Sequence, residues 1–76
     1  MDNIDVIIGR NIHIMRTSRG MTQTQLGALC EDKISSQQIS KYERGENALS
    51  CARLVEFAGI FDCKLLDFFD GVKVYV

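Results

Sequence analysis

Thr22–Gly45, TQTQLGALCEDKISSQQISKYERG, is the stretch whose reading decides the fold. It reads twice as a capping residue followed by a short amphipathic helix. The Thr22 hydroxyl is placed to accept a backbone N–H at the start of the first helix. Gln25 stands where its side chain reaches back to complete a capping box, and such a cap is worth about 1 kcal/mol. Leu26 with Leu29 or Cys30 supplies a buried stripe, and Gly27 and Ala28 are small enough for another helix to approach closely. Glu31-Asp32-Lys33 makes a polar turn. Ser35, after Ile34, is a second N-cap, and the pattern predicts a helix over 36–43 that Gly45 ends. Only Ile39 and Tyr42 of that helix point to a core. Its other face is Ser36, Gln37, Gln38, Ser40 and Lys41. Solvated faces are usually rich in Glu and Lys, whereas this one is rich in the amides, hydroxyls and amine that read base edges.

Outward from this pair, Ile8, Ile12 and Met15 recur at helical spacing, with Ile4 or Asp5 one turn earlier, and predict a first helix from about Asp5 to Arg19. Arg10, Asn11 and His13 fall on its wetter faces, and His13 reads as a solvated or half-buried side chain. Arg16 and Arg19 sit in the last turn, where the helix dipole favours cations, and Gly20 follows as a left-handed C′ residue. Downstream, Ser50 caps a helix through about Ile60. Its Leu54, Val55, Phe57, Ala58 and Phe61 make it the most apolar element and the central one. Asp62-Cys63 turns the chain into a short fifth helix at Leu65–Phe69, which Gly71 ends. The tail, 71–76, alternates with period two from Val72, as an edge strand does.

The 76 residues make one domain, 1–76, and 46% hydrophobic content allows a real core. No apolar run approaches the ~18 residues of a membrane span. The acidic start lacks the basic region of a signal peptide, so the expected compartment is the cytoplasm. The apolar ending Val74-Tyr75-Val76 fits a frayed terminus or the cut edge of a longer protein. Cys30, Cys51 and Cys63 are an odd count with no close pair, and with one histidine they complete no zinc site, so they read as small core hydrophobes. No metal, cofactor or small-molecule ligand is indicated. There is no Gly-rich phosphate loop and no nucleophile–base pair with supporting spacing, so an enzyme is not expected. The net charge of -1 argues weakly against nucleic acid. Its distribution argues back: residues 10–53 hold seven cations against four acids, between acidic ends.

The segments Thr22-Gln23-x-Gln25-Leu26-Gly27 and Ile39-Ser40-Lys41-Tyr42-Glu43-Arg44-Gly45 resemble the Cro/phage-repressor-type (xenobiotic-response-element) helix-turn-helix family. Ile8-Gly9-x-x-Ile12-x-x-Met15-Arg16 is similar to its first helix. Leu54-x-x-Phe57-Ala58-x-x-Phe61 and Leu65-x-x-Phe68-Phe69 are similar to its fourth and fifth. The likeness spans about residues 7 to 70. It implies an all-α, compact five-helix, lambda-repressor-like domain whose helix-turn-helix covers about 22–45. One departure stands out: from Leu26 to Ile39 the chain is two residues longer than the usual family spacing. The surplus falls at Glu31-Asp32-Lys33, where a glycine commonly stands, and adds two acids near the expected DNA face.

The resemblance implies a transcriptional regulator, a repressor that reads double-stranded DNA. The expected reading residues are Ser36, Gln37 and Gln38 at the start of the second motif helix, with Lys41 one turn on. Gln23, Arg44 and Asn47 are expected on phosphates. Ser40 lets the helix sit deep or packs against its neighbour. Arg16 and Glu43 are expected to pair between the first and third helices. Family habit implies a homodimer on a palindromic operator, with Phe68, Phe69, Val72, Val74 and Tyr75 as the dimer interface. The alternative is a protein-interaction module of the same fold that has lost sequence-specific DNA binding, which the weakly acidic charge and the Glu31-Asp32 insertion favour.

Overall fold

Asn3, Thr22, Ser35 and Ser50 each end an extended segment and accept a backbone N–H one turn into the helix that follows, and this sets where the helices begin. The structure, a computed structural model, describes residues 3–73. Helix α1 runs Ile4–Ser18, α2 Gln23–Leu29, α3 Ser36–Glu43 and α4 Cys51–Phe61, and a 3-10 helix spans Leu65–Phe69. At α2 the capping box is complete: Gln25 N–H donates to Thr22 Oγ1 at 3.0 Å, and Thr22 N–H to Gln25 Oε1 at 2.8 Å. The ends are equally local. Gly20 and Gly45 take φ of 67° and 74°. Met21 N–H returns to Arg16 O, and Glu46 N–H to Lys41 O, closing a Schellman turn on α1 and on α3.

The fold is all-α, and the fifth helix is a 3-10 helix rather than an α-helix. Five residues between Lys64 and Asp70 leave little room for an α-turn, and i,i+3 geometry suits such short pieces. Val72 and Lys73 take no strand, and residues 74–76 of the expected extended tail lie outside the described residues. The core is Ile8, Ile12, Leu26, Cys30, Ile39, Leu54, Phe57, Phe61 and Phe68. The rings of Tyr42, Phe57, Phe61 and Phe68 form a chain with centroids 6.1–6.3 Å apart. Of the expected stripe residues, Ile4, Leu29 and Val55 face solvent, and Cys30 takes the inward position at the end of α2.

Helix α3 packs on both α1 and α2, and the contact reaches the backbone. A Cβ added at Gly9 would lie 2.3 Å from Tyr42 O, and one at Gly27 would lie 1.9 Å from Ile34 O. The smallness of Gly27 therefore serves the chain entering α3, whose Ile34 N–H donates to Gly27 O at 2.9 Å, and Ala28 is exposed. The lengthened turn closes with Lys33 at φ 48°, the left-handed region that costs an L-residue about 1–2 kcal/mol. Its start is tied to α4: Glu31 N–H donates to Glu56 Oε2 at 2.7 Å, and Glu56 is in turn held by Arg53 at 2.6 Å. Accepting that N–H is the main reason the Glu56 carboxyl sits below its ordinary value. Arg53 adds to the shift, and desolvation opposes it.

Two substitutions at glycine test the backbone contact. Gly9→Ala meets a carbonyl that cannot turn aside, and is expected to cost about 1–3 kcal/mol. Gly59→Ala, in an α4 position with nothing within 4 Å, is expected to stabilise by about 0.5–1 kcal/mol. Thermal melts that move the two variants in the same direction would contradict this account. For the turn, Lys33→Gly relieves the left-handed strain at some cost in chain entropy, and is expected to raise the melting temperature by roughly 2–4 °C.

Candidate nucleic-acid interface

The two capped helices α2 and α3 leave between them a shallow groove of about 350 Å³, lined by Gln23, Ser36, Gln37, Ser40, Lys41 and Arg44. Five of the seven residues expected on DNA thus line one surface, and Ser40 joins them. Gln37, Lys41 and Arg44 are exposed, and Ser36, Ser40 and Gln23 are half-buried. The other two, Gln38 and Asn47, meet each other: Gln38 Nε2 donates to Asn47 Oδ1 at 3.3 Å, linking α3 to the loop that follows it.

Beneath the groove lies the tie that orients α3. Arg16 is 8% exposed and grips Glu43 with two donors, Nε to Oε2 at 2.6 Å and Nη2 to Oε1 at 3.0 Å. Its third branch, Nη1, donates to Met21 O at 2.7 Å, in the link between α1 and α2. Glu43 Oε1 also accepts from Gln23 Nε2 at 3.2 Å and lies 2.9 Å from His13 Nδ1. Burial pushes the Glu43 carboxyl up, but the hydrogen bonds from Arg16, His13 and Gln23, with the charge of Arg16, outweigh it and hold the group below its ordinary value. Gln23, expected on a phosphate, therefore has its amide nitrogen on Glu43. Arg44 is likewise engaged, in an exposed ion pair with Glu46. Lys41 has no ion-pair partner among the described residues.

Three ties escaped the sequence reading. Asn11 Nδ2 donates to Phe68 O at 2.8 Å and to Asp70 O at 2.9 Å, fastening the 3-10 segment to α1. Arg19 donates from Nε to Phe61 O at 2.9 Å and lies over the Phe61 ring, joining the end of α1 to the end of α4. The third is the Glu56 contact already described. Only Arg53–Glu56 carries a local signal, its i,i+3 spacing; the other two join residues more than 40 apart.

The expected dimer residues divide. Phe68 is fully buried in its own core, and Phe69 and Val72 are half-buried. Val74 and Tyr75 lie outside the described residues. Phe68 thus has no surface to offer a partner, because the 3-10 helix turns it inward and leaves Leu65 and Leu66 facing solvent, Leu66 at 78% exposure. No helix among the described residues is long and apolar enough to cross a membrane.

A family model described as helix-turn-helix matches residues 12–68. The chain is 33% identical over 73 residues to an uncharacterized HTH-type transcriptional regulator of Rickettsia conorii, covering 96% of this chain and 57% of that protein. It is also 33% identical over 73 residues to an uncharacterized regulator of the same type from Rickettsia prowazekii, covering 96% and 55%. A third, from Sinorhizobium medicae, is 37% identical over 67 residues, 88% of this chain and 47% of that protein. The chain therefore spans about half the length of the curated relatives it matches. No solved structure matches it at a significant level.

Because the Glu43 carboxyl titrates below its ordinary value of 4.5 when folded, the stability it provides is present above that value and lost as pH falls through the folded one. The melting temperature is expected to hold from neutrality to about pH 5 and to drop below that. Glu43→Ala leaves Arg16 buried and unpaired, at a cost of about 3–5 kcal/mol, a large part of what so small a domain has. It is expected to lower both the melting temperature and DNA binding without touching DNA. An unchanged melting temperature in that variant would remove the structural role assigned to the pair.

Proposed function

The chain belongs to the helix-turn-helix family whose model matches it, and we propose that it binds DNA sequence-specifically and regulates transcription, as a repressor. The observation that carries this reading is the groove between α2 and α3, where two amides, two hydroxyls and two cations share one surface. The start of α3 enters the major groove, with Ser36 and Gln37 at base edges and Lys41 one turn further on. Glutamine pairs with adenine N6 and N7, and lysine with guanine O6 and N7. Arg44 and Asn47, at and beyond the end of α3, take phosphates, as does the start of α2 at Gln23. Gln38, half-buried and bonded to Asn47, steadies that loop and reads less.

One eight-residue helix touches few base pairs, so specificity calls for two copies on a palindrome, with half-sites about 34 Å apart. The surface for this pairing is the exposed Leu65 and Leu66 with Phe69 and Val72, beside Ile14 on α1. The site of action is where the DNA is, in the cytoplasm. The net charge of -1 and the exposed Glu31 and Asp32 favour a second reading, an interaction module that has lost DNA binding. Salt separates the two, because phosphate contacts make affinity fall steeply as salt rises.

Selection of duplexes from a random pool at low salt tests the proposal. The wild type is expected to enrich a palindrome. Gln37→Ala is expected to lose about 1–3 kcal/mol of discrimination at one position of each half-site. Absence of enrichment by the wild type would overturn the regulator reading.

A further inference from the structure

Arg44 lines the proposed DNA groove, yet its guanidinium Nε is held by the Glu46 carboxylate. A backbone turn brings that carboxylate within reach of Arg44. Gly45, at φ 74°, supplies the left-handed turn, and Gly45 N–H donates to Tyr42 O and Glu46 N–H to Lys41 O at 3.1 and 2.9 Å. This Schellman closure of α3 folds residue 46 back beside residue 44. Glu43, the other acid of the segment, is occupied by Arg16, Gln23 and His13 beneath the groove. Glu46 is thus the carboxylate paired to a groove cation, and Lys41 and Arg44 are the two cations of the groove.

We propose that Glu46 is an intrachain competitor for the phosphate that Arg44 binds, and so sets the strength of DNA binding. The proposal rests on the DNA-binding reading above. A phosphate contact gains affinity by releasing the counterion condensed on the DNA, at a slope of about -0.9 in log K against log salt for each phosphate neutralised. An arginine already neutralised by a carboxylate brings little of that gain, because the acid must be displaced or must stay beside the phosphate. A steadying role for Glu46 is the weaker effect, since the pair is exposed, with side chains 59% and 52% accessible, and exposed pairs hold their partners loosely.

The test measures binding of wild type, Glu46→Gln, Arg44→Gln and the double variant to one duplex, across a salt series from about 20 to 200 mM. Melting curves establish that each is folded. For each copy of the chain bound, Glu46→Gln is expected to tighten binding by roughly eightfold near 0.1 M salt and to steepen the salt slope by about 0.9. The two variants carrying Arg44→Gln are expected to bind alike. Three results would overturn the proposal while leaving DNA binding in place: Glu46→Gln indistinguishable from a wild type that binds, weaker binding with an unchanged slope, or the same tightening when Arg44 is absent. Failure of both the wild type and Glu46→Gln to bind even at the lowest salt would overturn the proposal together with the DNA-binding reading.

Discussion

Helix α3 buries one apolar side chain fully, Ile39. A helix of eight residues is far too short to be stable alone, and a single isoleucine does not fix its rotation. Its orientation depends on the Arg16–Glu43 pair. The two-pronged grip allows Glu43 one position, and the third branch of Arg16 on Met21 O ties that position to the link ahead of α2. The close approach of α1 to the backbone of α3 at Gly9 removes the remaining slack. Buried pairs contribute little net stability, because desolvation offsets the Coulomb gain. What this one contributes is direction, since a misplaced Glu43 would leave both charges buried without partners.

All these fastenings act on the inner face and the C-terminal end of α3: Ile39, Tyr42, Glu43 and the Gly45 turn. Its N-terminal half carries Ser36 and Gln37 on the open side, with a cap from Ser35 as its local support. A helix seated on its inner face can present changeable side chains on its open side without disturbing that seat. The same geometry explains Gln23. Its amide nitrogen is bonded to Glu43, so the tie that orients α3 also holds the first residue of α2, and the two sides of the groove keep a fixed spacing.

Helix limits were legible because they are set within a few residues. Thr22, Ser35 and Ser50 cap by reaching one turn ahead, and Gly20 and Gly45 end helices by taking φ that other residues resist. The groove residues were legible because the family likeness falls on that same local stretch. What periodicity could not decide was which of two neighbouring apolar residues turns inward when both fit. Cys30 is inside and Leu29 outside, and in the last helix Phe68 is inside while Leu65 and Leu66 are outside. Asn11 and Arg19 looked like surface residues because the carbonyls they serve lie in a distant part of the chain. The lengthened turn is held at Lys33 by backbone conformation and at Glu31 by Glu56, a partner 25 residues away that no local pattern points to.

Charge counted along the chain misleads in the same way. Of the seven cations in residues 10–53, Arg16 is cancelled by Glu43 and Arg53 by Glu56, while Arg19 is committed to the Phe61 carbonyl. These are structural charges, and they leave Arg10, Lys33, Lys41 and Arg44 to act on anything outside. Glu31, Asp32 and Glu46 are exposed as well. The positive excess that the middle of the sequence suggests is therefore thin once the fold has used its share. Affinity for a polyanion then depends on where single acids sit, and an acid that a backbone turn brings beside a groove cation counts for more than one placed elsewhere.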